Sequence, residues 1–422
     1  MSGAGCSVQV VVPSEDRSGP TLPGDGPEMG DPHQDEHQLG DPGPLPEVCG
    51  TDRIFGVGTT WMDEGPATAE TRWLRCLTPE TDALAGRFVS AVHETNLPKM
   101  DGTQVAEADR YYDYAATDRR ANQPATYWVM TEMALAHHAA DTTLIPPSAV
   151  EVFTGPFFVF DSFYGTDAVT LGRAGLSGTR LDVDIAAHEY GHHLISTLAP
   201  GIEVSTLHEG IADYLACAFT DDPRFMDALP AALARPCDND HAWPADALDT
   251  HQACQLLEQG FASAGWTEKY ASEYGAIEAC LAMESPYLLE GHQTGMIVSG
   301  ALWALHEGIG AARFLPLLHE ALRRVPVEVE GDFGMLTTAL LAADAELYDG
   351  ENHQALVDEL GARGMSADVG LAAHEGHVGY ACLMTPEHEA LGLLPAGPLL
   401  PHPRRARAER SSGKGSAAGA GQ

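Results

Sequence analysis

The fold of this chain is decided by residues 182–195, which read Asp-Val-Asp-Ile-Ala-Ala-His-Glu-Tyr-Gly-His-His-Leu-Ile. The stretch contains the pattern H-E-x-x-H. Residues four apart lie on one face of a helix, about 5–6 Å apart at Cβ, so His188 and His192 can bind one zinc ion. Glu189 follows the first histidine directly and can act as general base on a metal-activated water. The pattern therefore predicts a helix that carries a hydrolytic zinc site.

The neighbouring residues indicate that this helix is buried. Apolar residues occur on both of its sides, with Ile185 beside the histidines and Tyr190 and Leu194 opposite them. A helix that is apolar on both sides is typical of a protein interior. Pro200 and Gly201 end the pattern. We therefore expect the helix to lie between two lobes.

A catalytic zinc ion usually keeps three protein ligands, so one more ligand is needed. The metzincin pattern would place Gly and His where this chain has Leu194 and Leu198, which excludes that class. Glu209, on a second predicted helix, is the expected third ligand. Asp213 shares its face and can accept a hydrogen bond from the far nitrogen of a zinc histidine. The alternative is an exposed acidic pair, but the helix is otherwise apolar, which favours a metal partner.

A third helical pattern runs from Gly291 to Trp303 and begins with His292. An imidazole at the start of a helix can point into a cleft and donate a hydrogen bond to the anion that forms during hydrolysis. A surface histidine near a helix cap would look the same in the sequence. The residues alone leave both interpretations open.

The remaining histidines of interest are expected to be structural or solvated, because their spacing or position does not suit the zinc site. They are His137, His138, His193, His208, His374 and His377. His193 should face away from the zinc edge, and His208 should merely flank it.

Charge and hydropathy argue against two classes of function. The 422 residues include 61 acidic and 23 basic side chains, for a formal charge of -38. Nucleic-acid binding is not expected, because phosphate contacts require clustered Lys and Arg. No apolar stretch approaches the ~20 residues of a membrane-spanning helix. We expect polypeptide partners, a monomer, and no membrane span.

The eight cysteines include no C-x-x-C pair, which argues against a cysteine zinc site. Their even number permits disulfides in an oxidising compartment. Cys237, Cys254 and Cys280 lie in one region and are the best candidates for a bridge. Cys217 sits inside an apolar helical pattern, where a free buried thiol is an alternative.

Composition divides the chain into four regions. Residues 1–50 are rich in Pro, Gly, Asp and His and predict a disordered leader, and residues 401–422 predict a disordered basic tail. Residues 51–185 predict an α+β lobe, and residues 186–400 predict a helical lobe that completes the zinc site. The expected fold class is α+β.

Within the first lobe the pattern predicts three elements. Residues 107–116 and 125–139 have helical spacing, from Glu107 and Ala125 onward. Residues 150–160 predict a strand that breaks at Gly155-Pro156.

Taken in this order, the three motifs resemble the thermolysin-like gluzincin peptidases, and the fungalysin branch most closely. His-Glu-Tyr-Gly-His at 188–192 is similar to the zinc helix of that branch. Glu209 and Asp213 are similar to the family's third ligand and the aspartate behind its zinc histidine. His292 is similar to the family's transition-state histidine. The resemblance covers about residues 105–320 and is weak outside the motifs.

This resemblance implies a zincin-like fold of two lobes, with the zinc helix at the floor of the cleft between them. It implies a secreted zinc endopeptidase of broad specificity, with His292 as a catalytic donor. Many members also bind calcium, and Asp184 matches one calcium position, although a full set of calcium ligands is not visible. The family's usual tyrosine just after the zinc helix has no counterpart here. That departure leaves open a catalytically silent surface or binding protein on the same fold.

The expected location is extracellular or in the cell envelope. Ala4-Gly5-Cys6 resembles the end of a bacterial lipoprotein cleavage site, although nothing apolar precedes it. Lipid attachment at Cys6 is therefore an alternative way to tether the chain.

Overall fold

The strands lie before Val183 in the chain, and helices make up most of the described residues after them. The architecture is that of a computed structural model. It describes residues 39, 41–60, 69–94, 103–115, 118–144, 148–154, 162–165, 168–171, 176–177, 180–200, 202, 206–226, 234–248, 250–265, 267–268, 274–275, 277–278, 281, 291–325 and 333–367. The mixed α/β composition agrees with the α+β class predicted from the sequence.

The strands form three small sheets. Their bounds are β1 Ile54–Thr60, β2 Glu70–Leu77, β3 Val89–Glu94, β4 Tyr111–Tyr112, β5 Val150–Thr154, β6 Phe163–Gly165, β7 Ala168–Leu171, β8 Leu176–Ser177 and β9 Arg180–Leu181. The first sheet has the order β2-β1-β4, with β1 antiparallel to β2 and parallel to β4. The second has the order β3-β5-β7-β6, in which only the β6–β7 pair is antiparallel. Strands β8 and β9 form an antiparallel pair.

Eight α-helices have bounds that fall among the described residues. Their bounds are α1 Asn122–Ala140, α2 Val183–Leu198, α3 Thr206–Thr220, α4 Thr250–Ser263, α5 Gly291–Ile309, α6 Ala311–Arg324, α7 Phe333–Tyr348 and α8 His353–Ala362. Helix α1 packs on the first two sheets and on α2. Helix α3 lies between α2 and α5, and these contacts bring the predicted motif residues together.

Helix α2 lies in the interior, as its apolar faces predict. The carboxylate of Asp182 caps it by accepting a hydrogen bond from the backbone N–H of Ile185 at 3.1 Å. Tyr190 is fully buried, with its ring packed near that of His193. Buried apolar residues from the sheets and the helices join in one core around α2. The two-lobed cleft stays a prediction.

The prediction of a helix at residues 107–116 is wrong for the residues that the structure describes. Tyr111 and Tyr112 instead form β4, paired with Val57 and Gly58 of β1. Arg110, with φ of 59°, turns the chain just before this strand. Burial of the Tyr112 ring in the core outweighs the local helical pattern. The predicted helix at residues 125–139 is confirmed within α1.

The predicted strand at residues 150–160 is confirmed as far as Thr154, and the remainder lies outside the described residues. A short 3-10 helix, Glu47–Cys49, precedes β1. Cys49 is buried, so the packed part of the chain begins ahead of the boundary predicted at residue 50.

Two disulfides join described cysteines, Cys49 to Cys76 and Cys217 to Cys237. Cys254 is disulfide-bonded as well. The interpretation of Cys217 as a free buried thiol is therefore wrong. The helical pattern around Cys217 revealed its burial but not the segment that packs against it. Both bonds fit an oxidising environment.

Within the described ranges, no helix combines the length and the apolar character that a bilayer crossing needs.

Candidate metal centre

Helix α2 brings the two predicted zinc histidines side by side. The ring centroids of His188 and His192 lie 4.5 Å apart, with the rings nearly perpendicular. Both side chains are buried. The four-residue spacing on a capped, interior helix thus gives the arrangement that the sequence predicts.

Helix α3 supplies the third group. Oε2 of Glu209 lies 3.3 Å from Nε2 of His188 and 3.7 Å from Nε2 of His192. This oxygen is buried and has no hydrogen-bond partner among the described residues. A buried carboxylate oxygen that faces imidazole nitrogens without a hydrogen bond is suited to a cation.

The three side chains fit a zinc ion. Their ligand atoms all lie within 4.8 Å of one another. Zinc bonds to nitrogen and oxygen are about 2.0–2.2 Å long, so neighbouring ligand atoms of a tetrahedral site lie about 3.3 Å apart. The two nitrogens and one oxygen are a donor set that zinc favours. A metal ion can therefore be held here with little movement of the three side chains.

The charges of the group are set by burial and by the contacts among its members. Burial alone raises the pKa of Glu209, but the nearby His292 and His192 outweigh it and hold that pKa well below its ordinary value. Burial lowers the pKa of His192 well below its ordinary value. Burial lowers the pKa of His188 too, but contacts with Asp213 and then Glu209 raise it to about 9. Glu209 is thus an anion, whereas His188 must lose a proton before it can bind a metal ion.

Asp213 lies behind His188, as the sequence predicts. Its Oδ1 is 2.7 Å from Nδ1 of His188 and fully buried. Such a carboxylate turns the opposite nitrogen, Nε2, toward the metal and makes the ring a stronger ligand.

The sequence analysis missed Arg235. Its guanidinium lies 3.0 Å from Oδ1 of Asp213 and 5.0 Å from the centre of the Phe225 ring, and the side chain is buried. Phe225 in turn packs near His188, with ring centroids 5.5 Å apart. Arg235 compensates the buried charge of Asp213. It lies in a segment without helical or strand periodicity, so only its proximity to Cys237 could have drawn attention to it.

His208 lies closer to the group than its expected flanking position requires. Its Nδ1 lies 2.6 Å from Nδ1 of His192, and the centroids of the two rings are 4.6 Å apart. The side chain is buried, so the alternative of a solvated His208 is wrong. Its position directly before Glu209 on α3 was the available signal.

His292, in the first turn of α5, also reaches the group. Its Nε2 lies 3.4 Å from Oε2 of Glu209. The side chain is 14% exposed, against 4% for His188 and 8% for His192, so it lies at the more open side of the cluster. The alternative of a surface histidine near a cap is excluded by this contact.

Glu189 lies in α2, buried to 4% exposure, three residues before His192. Residues three apart are neighbours on a helix surface, which places Glu189 beside the histidine face. Tyr190 points into the core, as expected, and is not part of the site.

Several histidines lie elsewhere. Nδ1 of His193 is 3.2 Å from the hydroxyl of Tyr164, and His193 faces away from the metal group as predicted. His137 pairs with His319, and His138 contacts the carbonyl of Leu144. The predicted structural pair at positions 374 and 377 lies outside the described residues.

The expected calcium position has another partner. Oδ2 of Asp184 accepts a hydrogen bond from the backbone N–H of Met226 at 3.1 Å. Among the described residues, the only group of three or more His, Cys, Asp or Glu side chains placed to hold a metal is His188, His192 and Glu209.

Comparison with known proteins adds no assignment. No protein-family model matches the chain, and no curated protein is significantly similar to it. Inferences about function therefore depend on the geometry and chemistry of the metal centre.

Proposed function

We propose that this chain is a zinc-dependent endopeptidase of the thermolysin-like gluzincin class, similar to the fungalysin branch. One observation carries the proposal: Nε2 of His188, Nε2 of His192 and a carboxylate oxygen of Glu209 converge within 4.8 Å in a buried site. The pattern H-E-x-x-H also supplies a general base at the position where hydrolytic zinc sites need one.

Zinc bound there would supply Lewis-acid chemistry, polarising a water molecule and the carbonyl of the scissile peptide bond. Glu189 takes the proton of the attacking water on its carboxylate and passes it to the leaving amine. Its burial beside His192 keeps this carboxylate at the histidine face. A burial of this degree also excludes most bulk water from the proton transfer.

His292 is the donor to the negative charge that develops on the carbonyl oxygen. Its Nε2 already lies 3.4 Å from Oε2 of Glu209, at the more exposed side of the cluster. A donor at such a position stabilises an anionic transition state without a large rearrangement. Asp213 and Arg235 do not contact substrate in this scheme. They hold the His188 ring with Nε2 facing the ion.

The proposed substrates are polypeptides, and the proposed location is extracellular or in the cell envelope. The two disulfides between described cysteines support an oxidising location. The net charge of -38 argues against nucleic acid as a partner. The proposed active form is a monomer.

Replacement of the general base tests the proposal. Glu189→Gln should abolish casein cleavage while the protein keeps its zinc, because the amide cannot accept the proton. Glu132→Gln is the matched control, since that carboxylate, on α1, pairs with Arg75 of β2 and lies outside the metal group. Wild-type cleavage should also stop with 1,10-phenanthroline.

Two results would count against the mechanism. If Glu189→Gln cleaved casein as fast as wild type, Glu189 would not be the base. If the wild-type protein held zinc but cleaved no peptide in a diverse peptide library, the catalytically silent alternative would replace the proposal.

A further inference from the structure

The two zinc histidines differ in what lies behind them. Nδ1 of His188 faces the carboxylate of Asp213 at 2.7 Å, whereas Nδ1 of His192 faces another imidazole, that of His208, at 2.6 Å. His208 is 1% exposed, and the plane of its ring is inclined by 29° to that of His192. The contact is therefore buried and close.

His208 is not one of the side chains whose ligand atoms converge within 4.8 Å of one another. It contacts His192 at Nδ1, whereas the nitrogen of His192 that faces Glu209 is Nε2. The separation of 2.6 Å between the two Nδ1 atoms suits a hydrogen bond in which one nitrogen carries the proton and the other accepts it.

The direction of this hydrogen bond follows from the metal site. Nε2 of His192 faces Glu209 and must keep a free lone pair to bind zinc. A neutral imidazole has one N–H, so the proton of His192 is then on Nδ1 and is donated to Nδ1 of His208. His208 in turn must carry its own proton on Nε2.

We propose that His208 is a positioning residue, which holds the His192 ring in the tautomer and orientation that bind zinc by accepting its Nδ1 proton. The inference uses the metal site of the proposed function but does not depend on peptidase activity. Because His208 precedes Glu209 directly, the first turn of α3 contacts both ring nitrogens of His192. Glu209 faces its Nε2, and His208 faces its Nδ1.

A pair of amide substitutions tests this role. The side-chain oxygen of Asn can occupy the place of imidazole Nδ1, whereas that of Gln lies one bond further out, near the place of Nε2. His208→Asn should therefore keep a zinc affinity close to wild type. His208→Gln and His208→Leu should weaken it about 10–100-fold, the usual effect of losing a group that orients a metal ligand.

Zinc affinity is measured by competition with a chromophoric chelator, on proteins whose folding has been checked by circular dichroism. The visible spectrum of the Co²⁺ form gives a second readout, and it should change in the Gln variant but not in the Asn variant. His193→Leu is the matched control. His193 is also buried in α2, next to His192, but its ring contacts Tyr164 and the carbonyl of Ser148. This variant should bind zinc as wild type does.

The outcomes separate this inference from the proposed function. Equal zinc affinity of the Asn and Gln variants, or wild-type affinity in His208→Leu, would overturn the positioning role and leave the metal site standing. A wild-type protein that binds no zinc would overturn the metal site and the role of His208 together.

Discussion

Gly210 of α3 and Gly295 of α5 lie backbone against backbone. A Cβ at position 295 would lie only 3.0 Å from the backbone nitrogen of Gly210 and 3.3 Å from Cβ of Glu209. Glu209 directly precedes Gly210, and His292 lies one turn before Gly295. The close approach of the two glycines is therefore what brings His292 to within 3.4 Å of the Glu209 carboxylate.

Gly210→Ala should disturb both stability and zinc binding. The added methyl group would overlap the carbonyl oxygen of Gly295 and Cβ of Val298, so α5 must move away. We expect the free energy of unfolding to fall by about 1–3 kcal/mol, as is usual for an overfilled core. Zinc affinity should fall as well, because Glu209 moves with its neighbour. Urea unfolding and chelator competition measure the two effects.

Gly308→Ala is the control for this substitution. Gly308 lies in the last turn of α5, and a Cβ there would meet no atom within 4 Å. The change should leave stability the same or raise it slightly, because alanine favours helix over glycine. Equal stability of the two alanine variants would contradict the close contact at Gly210.

Asp213→Asn should weaken zinc binding and destabilise the fold for separate reasons. Loss of the carboxylate behind His188 should lower zinc affinity about 10–100-fold. It also leaves the buried Arg235 without its ion-pair partner Asp213. Removal of one partner of a buried ion pair lowers the free energy of unfolding by about 3–5 kcal/mol. The double variant Asp213→Asn with Arg235→Met should regain stability but not zinc affinity. Recovery of both in the double variant would show that Asp213 does not orient His188.

The Cys217–Cys237 disulfide should affect the metal centre, whereas Cys49–Cys76 should not. Cys237 lies two residues after Arg235, and Cys217 lies one helical turn after Asp213. Replacement of both cysteines by serine should cost about 3 kcal/mol of unfolding free energy and reduce zinc affinity. The same change at Cys49 and Cys76 should lower stability alone. A matching loss of zinc affinity from both pairs would contradict a local effect.

Acid should destabilise the protein through His137. Its ring is buried, and its Nδ1 lies 2.9 Å from Nε2 of His319. Burial, and to a smaller extent the nearby His319, hold the pKa of His137 well below 6.5. The unfolded chain thus binds the proton more readily than the folded one. Above pH 6.5 His137 is neutral in both states and does not change the free energy of unfolding with pH. Below pH 6.5 that free energy falls by up to about 1.4 kcal/mol per pH unit.

His137→Leu tests this pH dependence, because the leucine cannot take up a proton in either state. The slope of unfolding free energy against pH should be shallower in this variant below pH 6.5, and unchanged above it. Urea unfolding over a pH series gives the slope. An unchanged slope in acid would show that His137 is protonated in the folded protein too.

The helices that carry His188, His192 and Glu209 could be predicted from the sequence because they depend on local spacing. His188 and His192 are four residues apart, as are Glu209 and Asp213, and each pair therefore shares a helix face. The strand at Tyr111 and Tyr112 could not be predicted, because it forms only through pairing with β1, more than fifty residues earlier. A local pattern does not contain that partner.

The supporting residues of the metal centre were harder to predict. Arg235 lies in a segment without periodic structure, and it reaches Asp213 only because the chain folds back after α3. His208 was visible in the sequence, but its role depends on how closely α2 and α3 approach. Gly191 permits that approach, since a Cβ there would lie 3.3 Å from Cα of Ala212.

The proposed function and the role of His208 both depend on one zinc ion bound by His188, His192 and Glu209. A crystal of the zinc-loaded protein, measured at the zinc absorption edge, tests it most directly. We predict an anomalous difference peak about 2.0–2.2 Å from Nε2 of both histidines and from a carboxylate oxygen of Glu209. A peak elsewhere, or one beside the histidines with Glu209 turned away and no other ligand in its place, would contradict the account.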